Sequence, residues 1–159
     1  MTTVIEHLGM DPGNSSPNIS GRWDIPKQQF LTENGDVGDC WPCCIAAIMG
    51  VPRAEVPHFL KDSDGGAMDA DTQRWLNERG YVLMHVPVGH IWTPRWSTDN
   101  VPTPPVIACG PSPRSKKLGQ HHAVVCIEGK VVYDPHPSNA GLTCVVDEYM
   151  IVPAFKVKP

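Results

Sequence analysis

The pattern of apolar and polar positions changes period partway along the chain. Ile45, Ala46, Ile48 and Met49 recur at helical spacing and stop at Gly50, a residue type that readily closes a helix in the left-handed conformation. Asp39 stands where an N-cap would, and Pro42 fits only a first turn, so Cys40 is expected at or beside the N-terminus of this helix. One or two further helical turns are expected over 51–60. A second helix is expected over 69–79, with Asp69 or Asp71 near its start, Trp75 and Leu76 facing the core and Gly80 after its end. Beyond Gly80 the pattern becomes strand-like over 81–86, 106–109, 122–127, 131–134 and 142–146, with 150–157 a candidate for one more. Helices first and a mostly antiparallel sheet afterwards predict an α+β domain with its helices gathered on one side. Residues 1–20 are polar and aperiodic and read as a flexible arm, which leaves 21–159 as a single domain.

Composition agrees with that division. A chain of 159 residues with 41% hydrophobic and 19% charged positions suits one domain with a real core, while 17 prolines and 14 glycines predict long loops, notably 88–105. A formal charge of −4 leaves no electrostatic footprint for nucleic acid. The apolar runs are too short to span a membrane and residues 1–20 lack the features of a secretory signal, so a cytoplasmic site of action is the default expectation. In that compartment six cysteines do not suggest three disulfides. Cys109, Cys126 and Cys144 sit singly in apolar runs and read as small buried hydrophobes, whereas Cys40, Cys43 and Cys44 crowd one turn.

A thiol attacks as its thiolate, and helix N-terminal amides favour negative charge, so Cys40 is the candidate nucleophile; the same amides suit an oxyanion. Cys43 and Cys44 point to other faces of the helix and are expected to pack against the sheet. Zinc held by Cys40, Cys43, Cys44, His121 and His122 is an alternative, but the spacing matches no paired-cysteine knuckle, and no cofactor is expected. A base with an orienting partner is offered by the hairpin His122 to Asp134. A two-residue turn at Glu128-Gly129 would put His122 opposite Pro135 and Asp134 on the other face. A three-residue loop, Ile127-Glu128-Gly129, sets His122 opposite Asp134 and is the expected register, with Asp134 on Nδ1 and Nε2 toward Cys40. His136 either contacts substrate or braces a turn.

These residues resemble the papain-like cysteine peptidase superfamily. Gly38-Asp39-Cys40-Trp41 is similar to the papain-type nucleophile segment, and Asp39-Cys40 followed by Cys44-Ile45-Ala46 is similar to that of the bacteriocin-processing, double-glycine peptidases, although Trp41 stands where those carry Gly. His122-Ala123-Val124-Val125, Gly129 and Asp134-Pro135 resemble the latter group's histidine and aspartate segments. Trp75 to Gly80 and Asp134-Pro135-His136-Pro137-Ser138 look closer still to small phage and prophage proteins. The resemblance covers roughly 29–142. It implies a papain-like fold and a cysteine peptidase or amidase of phage type, acting on a peptide, isopeptide or amide bond of a peptide or protein substrate. Cys40, His122 and Asp134 would form its triad, with Gln29, or as second choice Asn34, in the oxyanion hole. Trp41, Gly110, Ser112 and His121 are the expected substrate contacts, the loops 88–105 and 110–119 flanking the cleft; Lys116 and Lys117 lie in the second. Deamidases, transglutaminases and acyltransferases share this chemistry, and a non-catalytic protein that sequesters a partner in the same cleft is the competing reading.

Overall fold

The first helix, α1 (Cys40–Met49), is buried on every side: only Cys40 and Met49 of its ten residues are not fully covered. A helix that is apolar all round has to lie inside the domain rather than on it. The small side chains of Cys43, Cys44, Ala46 and Ala47 keep its surface low enough to pack closely. At its end the Gly50 and Val51 amides return to the Ala47 and Ala46 carbonyls, with Gly50 at φ 66°, a conformation that costs glycine little. The structure is a computed structural model that describes residues 27–31, 34–62, 68–88, 103–115 and 120–154. The expected arm 1–20, most of the loop 88–105, Lys116, Lys117 and residues 155–157 lie outside the described residues.

After α1 come a 3-10 turn (Arg53–Glu55), the short α2 (Phe59–Asp62) and α3 (Met68–Asn77). Thr72, Trp75 and Leu76 form the buried face of α3, and Trp41 Nε1 on α1 donates to Thr72 Oγ1 at 3.0 Å. Among the described residues five strands follow: β1 (Tyr81–Val86), β2 (Val106–Pro111), β3 (His121–Ile127), β4 (Lys130–Tyr133) and β5 (Asp147–Pro153). They form one sheet in the order β1-β5-β2-β3-β4, every neighbouring pair antiparallel. The chain is therefore an α+β domain. Strand alternation divides the core: Ile107, Ala123, Val125 and Tyr133 pack with α1, whereas Val106, Ala108, Val124 and Cys126 pack with Leu142, Val145 and Met150. Among the described residues no helix is long and apolar enough to cross a membrane.

Two sequence expectations change. In place of the predicted strands 142–146 and 150–157 there is one, β5, which begins after the first and shares residues 150–153 with the second. Residues 142–146 instead run irregularly beside β2, with Thr143 N–H donating to Pro111 O at 2.7 Å and Val146 N–H to Cys109 O at 2.8 Å. Cys144 consequently is exposed rather than core filling. Gly110 is fitted to this close approach, since a Cβ there would overlap the Cys144 carbonyl oxygen.

The hairpin also closes differently. Ile127 pairs with Lys130 across a two-residue turn in which Glu128 (φ 50°) and Gly129 (φ 73°) are both left-handed, as a type I′ turn requires. The pairing then skips Val132, so that Cys126 faces Val131 while Val125 faces Tyr133. This bulge adds the one residue needed to restore the face on which His122 and Asp134 meet.

Replacing Gly110 with alanine should destabilise the fold by about 1–3 kcal/mol through overpacking against immobile backbone, measured as a shift in the urea midpoint. An unchanged midpoint would show that the 142–146 segment yields freely.

Candidate active site

The site forms where the start of α1 meets the open end of the β3–β4 hairpin. Asp134 lies just past β4 and is buried, 4% exposed, so its charge has to be met by nearby donors. His122 Nε2 donates to Asp134 Oδ1 at 2.8 Å, the His136 N–H reaches the same oxygen at 2.8 Å, and the Gly141 N–H reaches Oδ2 at 2.8 Å. Burial raises the cost of ionising this carboxyl, but the bonds from His122, Gly141 and His136 outweigh it and hold the pKa at about 2. Lys27 Nζ adds bonds of 2.6 Å to the Asp134 carbonyl and to Asn139 Oδ1.

His122 is buried, and burial works against its charged form. Its hydrogen bonds to Asp134 and Cys40 nevertheless raise its pKa to about 9. Because Nε2 is taken by Asp134, Nδ1 is the nitrogen available to Cys40, the reverse of the sequence expectation. The order of residues carries no information about how an imidazole is turned. The two rings His122 and His136 meet edge to face, 6.2 Å between centroids. His136 is buried, its Nδ1 lying 2.7 Å from Ser138 Oγ, so this residue braces the turn.

Cys40 is half-buried at the first position of α1. Four of the other five thiols sit in environments that penalise a thiolate: burial pushes Cys43 up to about 12 and Cys126 to about 11, and raises Cys44 well above the ordinary thiol value. Burial likewise raises Cys109, which lies on β2 facing α1. Asp39 precedes Cys40 but makes no capping bond with its side chain. It is almost wholly buried, and its carboxylate accepts from Phe30 N–H at 3.1 Å, Gln29 N–H at 3.4 Å and Arg53 Nε at 3.3 Å.

Several expected site residues are placed elsewhere. Trp41 belongs to the core, edge-on to Tyr149 at 5.0 Å between centroids as well as bonded to Thr72, so its side chain is not a substrate contact. Gly110 does lie beside the site, paired across the sheet with His122 and buried against the Cys144 carbonyl, whereas Ser112 is buried in a turn whose amides and hydroxyls bond one another, Ser112 N–H to Ser115 Oγ and Arg114 N–H to Ser112 Oγ. His121 is exposed opposite Pro111 at the mouth of the sheet. Gln29 is exposed and lines a separate cleft of about 260 Å³ with Phe30, Arg53, Ala54, His58 and Lys61; Asn34 is exposed in a turn. Gln28, not Gln29, is the buried glutamine, and its Nε2 donates to Phe30 O. The backbone of segment 27–31 reaches the start of α1 through the Gln29 and Phe30 amides, which donate to Asp39, while the Gln29 side chain lines the separate cleft. Among the described residues no group of three or more His, Cys, Asp or Glu side chains is arranged to hold a metal ion. Lys27, Gln28, Arg53 and Gly141 were missed by sequence reasoning, for their roles depend on partners distant in the chain.

No protein family, curated protein or solved structure matches this chain in comparisons by sequence and by structure.

The His122–Asp134 pair gives stability a defined pH window. The raised His122 value contributes fully below its ordinary 6.5 and is lost as pH rises through about 9. The lowered Asp134 value contributes fully above its ordinary 3.8 and is lost as pH falls through about 2. The melting-temperature difference between wild type and Asp134→Asn should therefore be greatest between these ordinary values and shrink on both sides. A difference constant across the range would contradict the pair's ionic character.

Proposed function

We propose that this protein is a cysteine-dependent acyl-transfer enzyme of papain-like architecture, acting on a peptide, isopeptide or side-chain amide carbonyl of a peptide or protein. The observation that carries the reading is a half-buried thiol at a helix N-terminus, in electrostatic reach of an imidazole whose Nε2 is held by a buried, ionised carboxylate. The α+β layout supports it, since a buried helix carries the nucleophile and an antiparallel sheet carries the base.

In this reading the His122 imidazolium stabilises the Cys40 thiolate, a pairing that makes a thiol reactive near neutral pH. Sγ attacks the carbonyl carbon, and the electron pair of the C=O bond moves to oxygen. Backbone N–H groups at the start of α1 receive that oxyanion, aided by the helix dipole. As the intermediate collapses, Nδ1–H gives its proton to the leaving amine, and a thioester remains on Cys40. His122 then takes a proton from water, which attacks the thioester and releases the acid and the free thiol. Asp134 stays ionised throughout, as its low pKa requires, and keeps the ring turned with Nδ1 to the thiol. An amine in place of that water would give a transferase with the same residues.

Iodoacetamide labelling followed by peptide mapping tests this directly, with the exposed Cys144 as an internal reference. At pH 6 Cys40 should label at least about tenfold faster than Cys144, and His122→Ala should abolish the excess. Equal rates at the two thiols, unaffected by His122→Ala, would remove the catalytic reading and leave a binding protein.

A further inference from the structure

We infer that Asp39, held by Arg53, is a positioning residue that ties the triad's two halves together. The inference rests on the catalytic reading of Cys40 and His122 above. The start of α1 and the turn that follows β4 come from chain segments about ninety residues apart, and the short segment Lys27–Phe30 is bonded to both. At one end Lys27 Nζ takes the Asp134 carbonyl and Gln28 N–H donates to Pro135 O at 2.8 Å. At the other end the Phe30 and Gln29 amides converge on the Asp39 carboxylate. The segment is a strap, and Asp39 is its anchor on the nucleophile side.

The charge of the anchor matters as much as its bonds. Asp39 is 1% exposed and is bonded through the chain to Cys40, so an uncompensated carboxylate there would oppose a thiolate on the next residue. Arg53, whose side chain is only 13% exposed, meets Asp39 Oδ2 at 3.3 Å and is itself fixed by donating Nη1 to Val56 O at 2.6 Å. The same arrangement keeps the carboxylate off the first-turn amides: an aspartate at an N-cap ordinarily accepts from them, and Asp39 does not, its bond to the helix coming instead from the Cys43 thiol at 3.8 Å. Those amides face no competing side-chain acceptor from Asp39, which is the condition that oxyanion binding at a helix start requires. Strap and ion pair together fix where Cys40 stands relative to His122 and keep the cap position from occupying the site.

The test is the pH dependence of Cys40 alkylation in the full chain, with iodoacetamide as probe. Asp39→Ala should slow labelling at pH 6 at least tenfold and move the profile to higher pH, because the lost alignment of Cys40 with His122 outweighs the removal of a neighbouring negative charge. Asp39→Asn, whose amide oxygen still accepts from Phe30 N–H, should recover part of the loss. Should Asp39→Ala fail to fold, Arg53→Met serves in its place, leaving the carboxylate unneutralised and free to cap the helix, and the same alkaline displacement is expected. A purely structural role would lower the melting temperature and leave the profile where it is. Fast, His122-dependent labelling in wild type with an unshifted profile in a folded Asp39→Ala or Arg53→Met variant overturns the inference and spares the catalytic reading. Slow labelling in wild type overturns the catalytic reading, and the positioning role falls with it.

Discussion

A buried carboxylate that must stay ionised is the constraint around which this protein is arranged. Removing a carboxylate from water costs several kcal/mol unless donors replace the lost hydration, roughly the whole stability margin of a small domain. Asp134 meets that cost with an imidazole and two backbone amides, and each donor fixes part of the chain. The His136 amide curls the chain immediately after the carboxylate, and the Gly141 amide closes the loop seven residues on. His122 locks β3 to that loop and is itself locked in one ring orientation. The base of the site is thus rigid because its partner could not otherwise be buried.

A second carboxylate, Asp39, is buried next to Cys40 in the chain and met by different donors: a guanidinium and the amides of a strap. Each buried carboxylate has its own set of donors. The molecule places negative charge close to a thiol twice, and in both cases neutralises or distances it. Asp134 does so through the imidazolium it shares with Cys40, Asp39 through Arg53. Packing does the rest, for α1 is covered along nearly its whole length and cannot shift without opening the core formed by Ile107, Ala123 and Val125.

The distribution of thiols follows from the same packing. Cys43 and Cys44 face inward from α1 and Cys126 faces the second core layer, where a thiolate is disfavoured by loss of water. Only the first residue of the helix combines partial access with an imidazole. That division by environment was legible in the order of residues for Cys40, Cys43, Cys44 and Cys126, and it misled for Cys144, whose apolar neighbours Val145 and Val146 belong to an irregular segment and not to a strand.

Helix α1, its glycine stop, the core face of α3 and the succession of strands could be read from the chain alone, because local period and turn chemistry act over a few residues. So could the pairing of His122 with Asp134, since a hairpin brings its own ends together. The means of that pairing could not: a bulge at Val132, absent from any turn motif, supplies the residue that the expected loop was meant to supply. Nor could the ring nitrogen that faces Cys40, the burial of Trp41 against Thr72 and Tyr149, or the exposure of Gln29. Each of these depends on which distant groups compete for the same donor, acceptor or space, and that competition is settled only when the sheet, the helix and the strap are assembled together.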